Sequence, residues 1–185
     1  VFDEKGTLDK YIGDAVMAFW NAPLDQKDHA LRACRAAVAF LSKLEELKVK
    51  WRAESYPEFD IGVCINSGPM FVGEMGSELR AEYTVMGDAV NLASRLEGIN
   101  KSYGTRIVIS EATFLLVQGQ VVARRLGAVR VQGKRKPVRI YELRAVGAPS
   151  VAEAERIAVF ENALDAYADQ HFEEAEGLFT QALEL

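Results

Sequence analysis

The sequence predicts an α+β fold: a largely antiparallel sheet with helices packed on one face, followed by a helical hairpin. Strand-like runs come in pairs around glycine turns, long helical periodicities sit between those pairs, and everything after residue 150 is helical. The strict β–α alternation that a doubly wound parallel sheet requires is not present.

Residues 7–12 and 15–20 read as two short strands joined at Gly13-Asp14, because glycine permits a tight reversal, and Asn21-Ala22-Pro23 stops the second strand. From residue 25 to about 54, Leu31, Cys34, Val38, Leu41, Leu44 and Leu47 recur at helical steps, with Asp25 or Asp28 able to cap the start. Residues 59–66 and 70–76 read as a second hairpin around Ser67-Gly68-Pro69. Residues 82–86 are extended; Gly87-Asp88 then opens a helix running to about Ser102, ended by Tyr103-Gly104. Residues 106–109 form a strand, and residues 110–117 a short helix capped by Ser110 with Glu111 in its first turn. Two last strands, 123–131 and 137–143, flank the basic turn Gly133-Lys134-Arg135-Lys136.

At residues 145–150 the composition shifts to small residues and proline, which sets a boundary between a first domain, 1–146, and a helical segment, 151–185. The segment reads as two helices turning at Asp169-Gln170-His171. Its Ala175, Phe179, Ala182 spacing resembles the second helix of a tetratricopeptide repeat. One such repeat cannot bury its own apolar face, so it is expected to pack on the first domain or against further repeats, or to receive a protein partner.

The 185 residues, 49% hydrophobic and 26% charged, are those of a globular protein with one sizeable core. A net charge of -5 argues against general nucleic-acid affinity, while leaving room for a local basic pocket for a phosphorylated small molecule. Cys34 and Cys64 lie in apolar surroundings without zinc or disulfide spacing and read as free core thiols, compatible with a reducing cytoplasm. His29 and His171 have no metal-ligand spacing, fall near helix starts and read as surface residues. The sequence holds no apolar run of spanning length and no signal peptide; beginning at Val1 and ending inside a helical pattern, it looks like a segment of something longer.

Two pairs could carry chemistry. Asn91 and Arg95, four apart on a helix, project from one face and offer an amide beside a guanidinium, a surface suited to phosphate or sugar oxygens. Lys10 and Asp14 flank the first hairpin turn. Spacing alone favours solvated surface for both pairs.

The longer strings change that balance. DKYIGDAVMAFW (residues 9–20) is followed downstream by IGVCINSGP (61–69), VGEMG (72–76), YTVMGDAVNLASRLE (83–97) and PVRIYEL (137–143). In this order, over roughly residues 6–143, they closely resemble the class III nucleotidyl cyclases, the adenylate and guanylate cyclase family.

The resemblance implies a ferredoxin-like cyclase sheet and an ATP-cyclising site shared between the two subunits of a homodimer. In this family the nucleotide's 3'-hydroxyl attacks its own α-phosphate and expels pyrophosphate, assisted by two Mg²⁺ or Mn²⁺ ions. Asp14 matches one of the two metal-binding aspartates. Asn91 matches the residue that orients the ribose, and Arg95 the arginine that stabilises charge on the phosphate in the transition state. Lys10 and Thr84 match the pair that reads the purine. Guanylate-selective members typically carry glutamate at the lysine position, so ATP is the expected substrate.

The sequence departs from the family twice. The other metal aspartate belongs on a strand upstream of the hairpin, in a stretch this chain does not contain; Asp3 and Asp9 lie in no matching context, so weak or no turnover is expected of this chain alone. Gln132 stands where many members have a phosphate-holding lysine, a role open to Lys134, Arg135 or Lys136. A cyclase-like module that binds nucleotide or a regulatory partner without turnover is the alternative.

Overall fold

The structure, a computed structural model, describes residues 1–77, 80–134 and 136–185. A 3-10 turn at Phe2–Glu4 precedes strands β1 (Thr7–Ile12) and β2 (Ala15–Phe19) and helix α1 (His29–Ala53). Next come β3 (Val63–Ile65), β4 (Phe71–Ser77), β5 (Arg80–Met86), α2 (Asp88–Glu97) and α3 (Ile99–Tyr103). The first 146 residues close with β6 (Ile107–Ser110), α4 (Glu111–Val117), β7 (Val121–Val129) and β8 (Val138–Val146), and α5 (Val151–Ala168) and α6 (Phe172–Glu184) follow.

The strands form a four-stranded sheet in the order β3-β6-β8-β7 and two separate antiparallel ribbons, β1-β2 and β4-β5. The second hairpin is therefore not the expected one. β3 pairs parallel with β6, through Val63 opposite Ile107, and β4 pairs instead with β5, from Phe71 opposite Met86 to Ser77 opposite Arg80. The reason lies in composition: Val63-Cys64-Ile65 is continuously apolar, as a strand covered on both faces must be, whereas β4 carries glycines and a glutamate and stays largely exposed.

Helices cover both faces of the four-stranded sheet rather than one. All four residues of β6 are buried, so neither face can be left to water. Ile107 and Ile109 pack with Leu31 and Cys34 of α1, Val117 of α4 and Leu143 of β8. Val108, between them and so pointing the other way, packs with Leu92 and Leu96 of α2, Leu126 and Ile140.

α1 starts at His29 rather than at residue 25, because the Gln26 N–H is already held by Asn21 Oδ1 at 2.5 Å. The helix expected from residue 88 to 102 breaks at Gly98: buried Asn100 donates its amide to the carbonyls of Glu97 and Val63, both at 3.1 Å, replacing intrahelical bonding there. Ser110 caps α4 as expected, accepting from the Thr113 N–H at 3.3 Å. Both cysteines are free, and burial pushes each thiol up to about 12. His29 is half-buried at the start of α1, and His171 exposed just before α6.

α5 lies against β7, where Glu161 accepts from the Arg125 backbone N–H at 2.7 Å and Asp165 pairs with the Arg125 guanidinium at 2.8 Å. Arg124 stacks over Phe160, 4.3 Å from the ring centre, and Phe160 meets Phe179 of α6 edge-on at 5.5 Å. Among the described residues, no helix is long and apolar enough to cross a membrane.

Candidate functional site

The hairpin β1-β2 turns in two residues, Gly13-Asp14, with Ile12 opposite Ala15 and Gly13 at φ 64, a left-handed conformation that favours glycine. This leaves Asp14 exposed at the tip, its carboxylate meeting no cation or hydrogen-bond donor among the described residues. Further along β1, Leu8 pairs with Ala18 and Lys10 with Met17, so Asp9 is an extra residue, a β-bulge.

The bulge has a direct consequence. In a regular strand adjacent residues point to opposite faces, yet here Asp9 and Lys10 both meet β5. Asp9 Oδ2 accepts from the Thr84 hydroxyl at 2.7 Å, and Lys10 Nζ donates to Glu82 Oε2 at 3.2 Å. Glu82 and Thr84, two apart, share one face of β5. Lys10 Nζ also lies 3.6 Å from Asp9 Oδ1, whose side chain is 1% exposed. The Glu82 hydrogen bond, above all, raises the Lys10 ammonium beyond the ordinary lysine range. The rings of Phe19 and Tyr83, 6.0 Å apart, add an apolar contact between the ribbons.

Asn91 and Arg95 lie one turn apart on α2 and are exposed, while Leu92 and Leu96 bury the helix on the sheet. The start of α2 is fixed by Asn66, which donates to the Ala89 carbonyl at 2.7 Å. The loop before β8 wraps the outer side of α2: Arg95 Nη1 donates to the Gln132 carbonyl at 2.5 Å, and Lys134 pairs with the Asp88 carboxylate. Gly133 lies there at φ 79, a left-handed conformation that favours glycine, and a Cβ would push the Arg95 guanidinium aside. Of the basic turn's candidates for the missing lysine, Lys134 is thus already paired, and Arg135 lies outside the described residues.

The structure therefore brings Lys10 and Thr84 onto one seam between two ribbons. It places Asn91 and Arg95 together on α2, and Asp14 apart at the hairpin tip. No hydrogen bond or ion pair links these three groups among the described residues. Sequence reasoning missed Asp9 and Glu82, the immediate partners of Thr84 and Lys10; a bulge leaves no mark in residue periodicity that would have exposed them.

Residues 5–145 match the family described as Adenylate and Guanylate cyclase catalytic domain. The chain belongs to this family. It is 42% identical over 138 residues to Adenylate cyclase 1 of Rhizobium meliloti (strain 1021), covering 75% of this chain and 21% of that protein, so it spans about a fifth of that relative's length. Among solved structures, it resembles the adenylyl cyclase CyaB from P. aeruginosa with a TM-score of 0.69 and 32% identity over 77% of this chain and 74% of that one. It resembles the guanylyl cyclase Cya2 with a TM-score of 0.70 and 33% identity, over 81% of this chain and 75% of that one. The cyclase family and its mixed α+β fold, read from the strings above, are borne out; the β-bulged seam and the clasp on α2 are features of this chain's own geometry.

Proposed function

We propose that this chain is an adenylate cyclase domain that converts ATP to 3',5'-cyclic AMP and pyrophosphate. The new bond joins the ribose 3'-oxygen to the α-phosphorus, the bond from that phosphorus to the leaving pyrophosphate breaks, and the hydroxyl proton passes to solvent. In this reading Lys10 donates to an adenine ring nitrogen and Thr84 accepts from the 6-amino group. Asn91 orients the ribose, and Arg95 holds the charge that grows on the phosphate oxygens. The observation that carries it is the seam: Asp9 and Thr84, 75 residues apart in sequence, meet at 2.7 Å, which sets the two base-reading side chains next to each other.

A shared site between two copies fits the separation of Asp14 from the other groups. It also fits the apolar side chains the ribbons present to solvent: Tyr11 and Ile12 on β1, Phe71 on β4 and Met86 on β5 are all more than half exposed. Among the described residues no three His, Cys, Asp or Glu side chains converge to cage a metal ion. Asp14 suits a different donor set: a free, hard carboxylate that takes Mg²⁺ or Mn²⁺ together with nucleotide phosphates and water. Bound there, such an ion would neutralise phosphate charge and activate the attacking oxygen. We place the domain at residues 1–146 in the cytoplasm, with 151–185 as a tetratricopeptide-like hairpin available to a protein partner.

The test follows cyclic AMP formed from Mg²⁺- or Mn²⁺-ATP by the 185-residue chain and by a form extended at its N-terminus. Product from the extended form, with the chain alone slower, is expected; none from either refutes the reading. One observation favours the alternative, a nucleotide-binding module without turnover: Arg95 is engaged by the Gln132 carbonyl rather than standing free.

A further inference from the structure

A hydroxyl has one proton to donate and two lone pairs to accept with, so a lone threonine in a base pocket does not discriminate between donors and acceptors on a purine. Thr84 is not alone. Its hydroxyl lies 2.7 Å from Asp9 Oδ2, and a carboxylate can only accept, so the hydroxyl proton is committed to Asp9. What Thr84 Oγ1 then offers a ligand is lone pairs and nothing else. Adenine presents an amino group at its 6-position, a donor, and guanine a carbonyl oxygen, an acceptor.

We infer that Asp9 is a specificity-determining positioning residue: by taking the Thr84 proton it makes the base pocket a reader of 6-amino purines and sets it against 6-oxo purines. This rests on the reading of Lys10 and Thr84 as the base-contacting pair. Three features are built for the role. The β-bulge turns Asp9 toward β5 beside Lys10, where a regular strand would send the two to opposite faces. The Asp9 side chain is 1% exposed, so water does not compete for its oxygens, and Thr84 is itself buried. Lys10, 3.6 Å away, balances the carboxylate's charge, while its own hydrogen bond goes to Glu82.

Without the carboxylate, the Thr84 hydroxyl would be free to rotate and donate to a 6-oxo group. The test measures dissociation constants of 3'-deoxy-ATP and 3'-deoxy-GTP, which cannot cyclise, in the presence of Mg²⁺. The wild type is expected to prefer the adenine analogue, and Asp9→Ala to lower that preference on the order of tenfold, the effect of one mismatched buried polar contact. Asp9→Asn keeps the volume and offers a donor on one branch, so it lowers the preference in the same direction by less. In a Thr84→Val background, Asp9→Ala should change the ratio no further, since its effect passes through the hydroxyl.

A melting curve establishes that each variant is folded. The inference is overturned if the folded Asp9 variants keep the wild-type ratio, if Asp9→Ala changes it equally with valine at 84, or if the wild type shows no preference. Failure of the cyclase reading shows separately, as an N-terminally extended wild-type protein that forms no cyclic AMP.

Discussion

Replacing Arg95 by alanine separates turnover from binding. Arg95 is exposed and, among the described residues, its guanidinium donates one hydrogen bond, to the Gln132 carbonyl at 2.5 Å, while the buried side of α2 rests on Leu92 and Leu96. Its loss should therefore cost the fold little: an exposed bond to a neutral carbonyl is worth about 1 kcal/mol at most, a shift of roughly 2–4 °C in melting temperature for a chain of this size. A preorganised donor to transition-state charge is worth about 3–4 kcal/mol, a loss of ~10²–10³ in kcat. The two magnitudes are far enough apart to read. The assay compares kcat for cyclic AMP formation from Mn²⁺-ATP with the dissociation constant of 3'-deoxy-ATP. The expected result is a kcat fall of that order with binding changed by less than about tenfold, and Arg95→Lys, which keeps the charge but loses the planar fork, recovering only part of it. An unchanged kcat, or a loss of binding that accounts for the whole loss of rate, refutes the assignment and leaves the non-catalytic module.

The other expectations concern the frame. Thr113 is fully buried and its hydroxyl bridges Ser67 at 3.0 Å and the Ile65 carbonyl at 3.3 Å, so Thr113→Val, alike in shape, should lower stability by about 1–3 kcal/mol in urea unfolding. Cys34 and Cys64, pushed up to about 12 by burial, should resist a thiol reagent at pH 8 in the native protein, with half-buried Cys64 reacting before Cys34, and both reacting at once in denaturant. Arg125 holds the Asp165 carboxyl below its ordinary value of 3.8. A carboxylate lowered by folding stabilises above its unfolded pKa and loses that contribution as pH falls through the folded one. The melting-temperature gap between wild type and Arg125→Ala should therefore be widest at pH 6 and narrow as pH falls below about 3.8, leaving the part due to the guanidinium's bond to the Glu161 carbonyl.

How far the sequence could be read follows from what each feature depends on. Element types were legible wherever one local force decides them: the α1 periodicity, the Ser110 cap and the two-residue turn at Gly13-Asp14 all rest on neighbours in the chain. Strand pairing was not, because β3 reaches β6 across more than forty residues and nothing near Ser67-Gly68-Pro69 states that the hairpin there does not close. The break at Gly98 was equally hidden, since it depends on an Asn100 side chain finding the Val63 carbonyl on another element. For the site, motif resemblance supplied the residues and their expected tasks but not their partners. Asp9 was read as an aspartate without a role, and the reason it has one is a single extra residue in the β1 register.

That division matches how the molecule is assembled. The packed interior belongs to the four-stranded sheet with α1, α4 and α2, while the expected base-reading and metal-binding residues sit on two ribbons whose described strands pair neither with that sheet nor with each other. Among the described residues the ribbons meet through the Asp9–Thr84 and Lys10–Glu82 contacts and the Phe19–Tyr83 pair, beside an interior filled on both faces. Regions held by few buried contacts open at lower free energy than the core. The Asp14 turn stands at the exposed end of its ribbon, away from that interior, whereas α2 is pinned by Leu92, Leu96 and the Asn66 bond to Ala89. The consequence is an asymmetry in what substitution should do: changes at the exposed Asp14 tip should cost little stability, whereas Ile140→Ala, at a fully buried position, should cost about 2–5 kcal/mol and loosen the frame on which Asn91 and Arg95 stand.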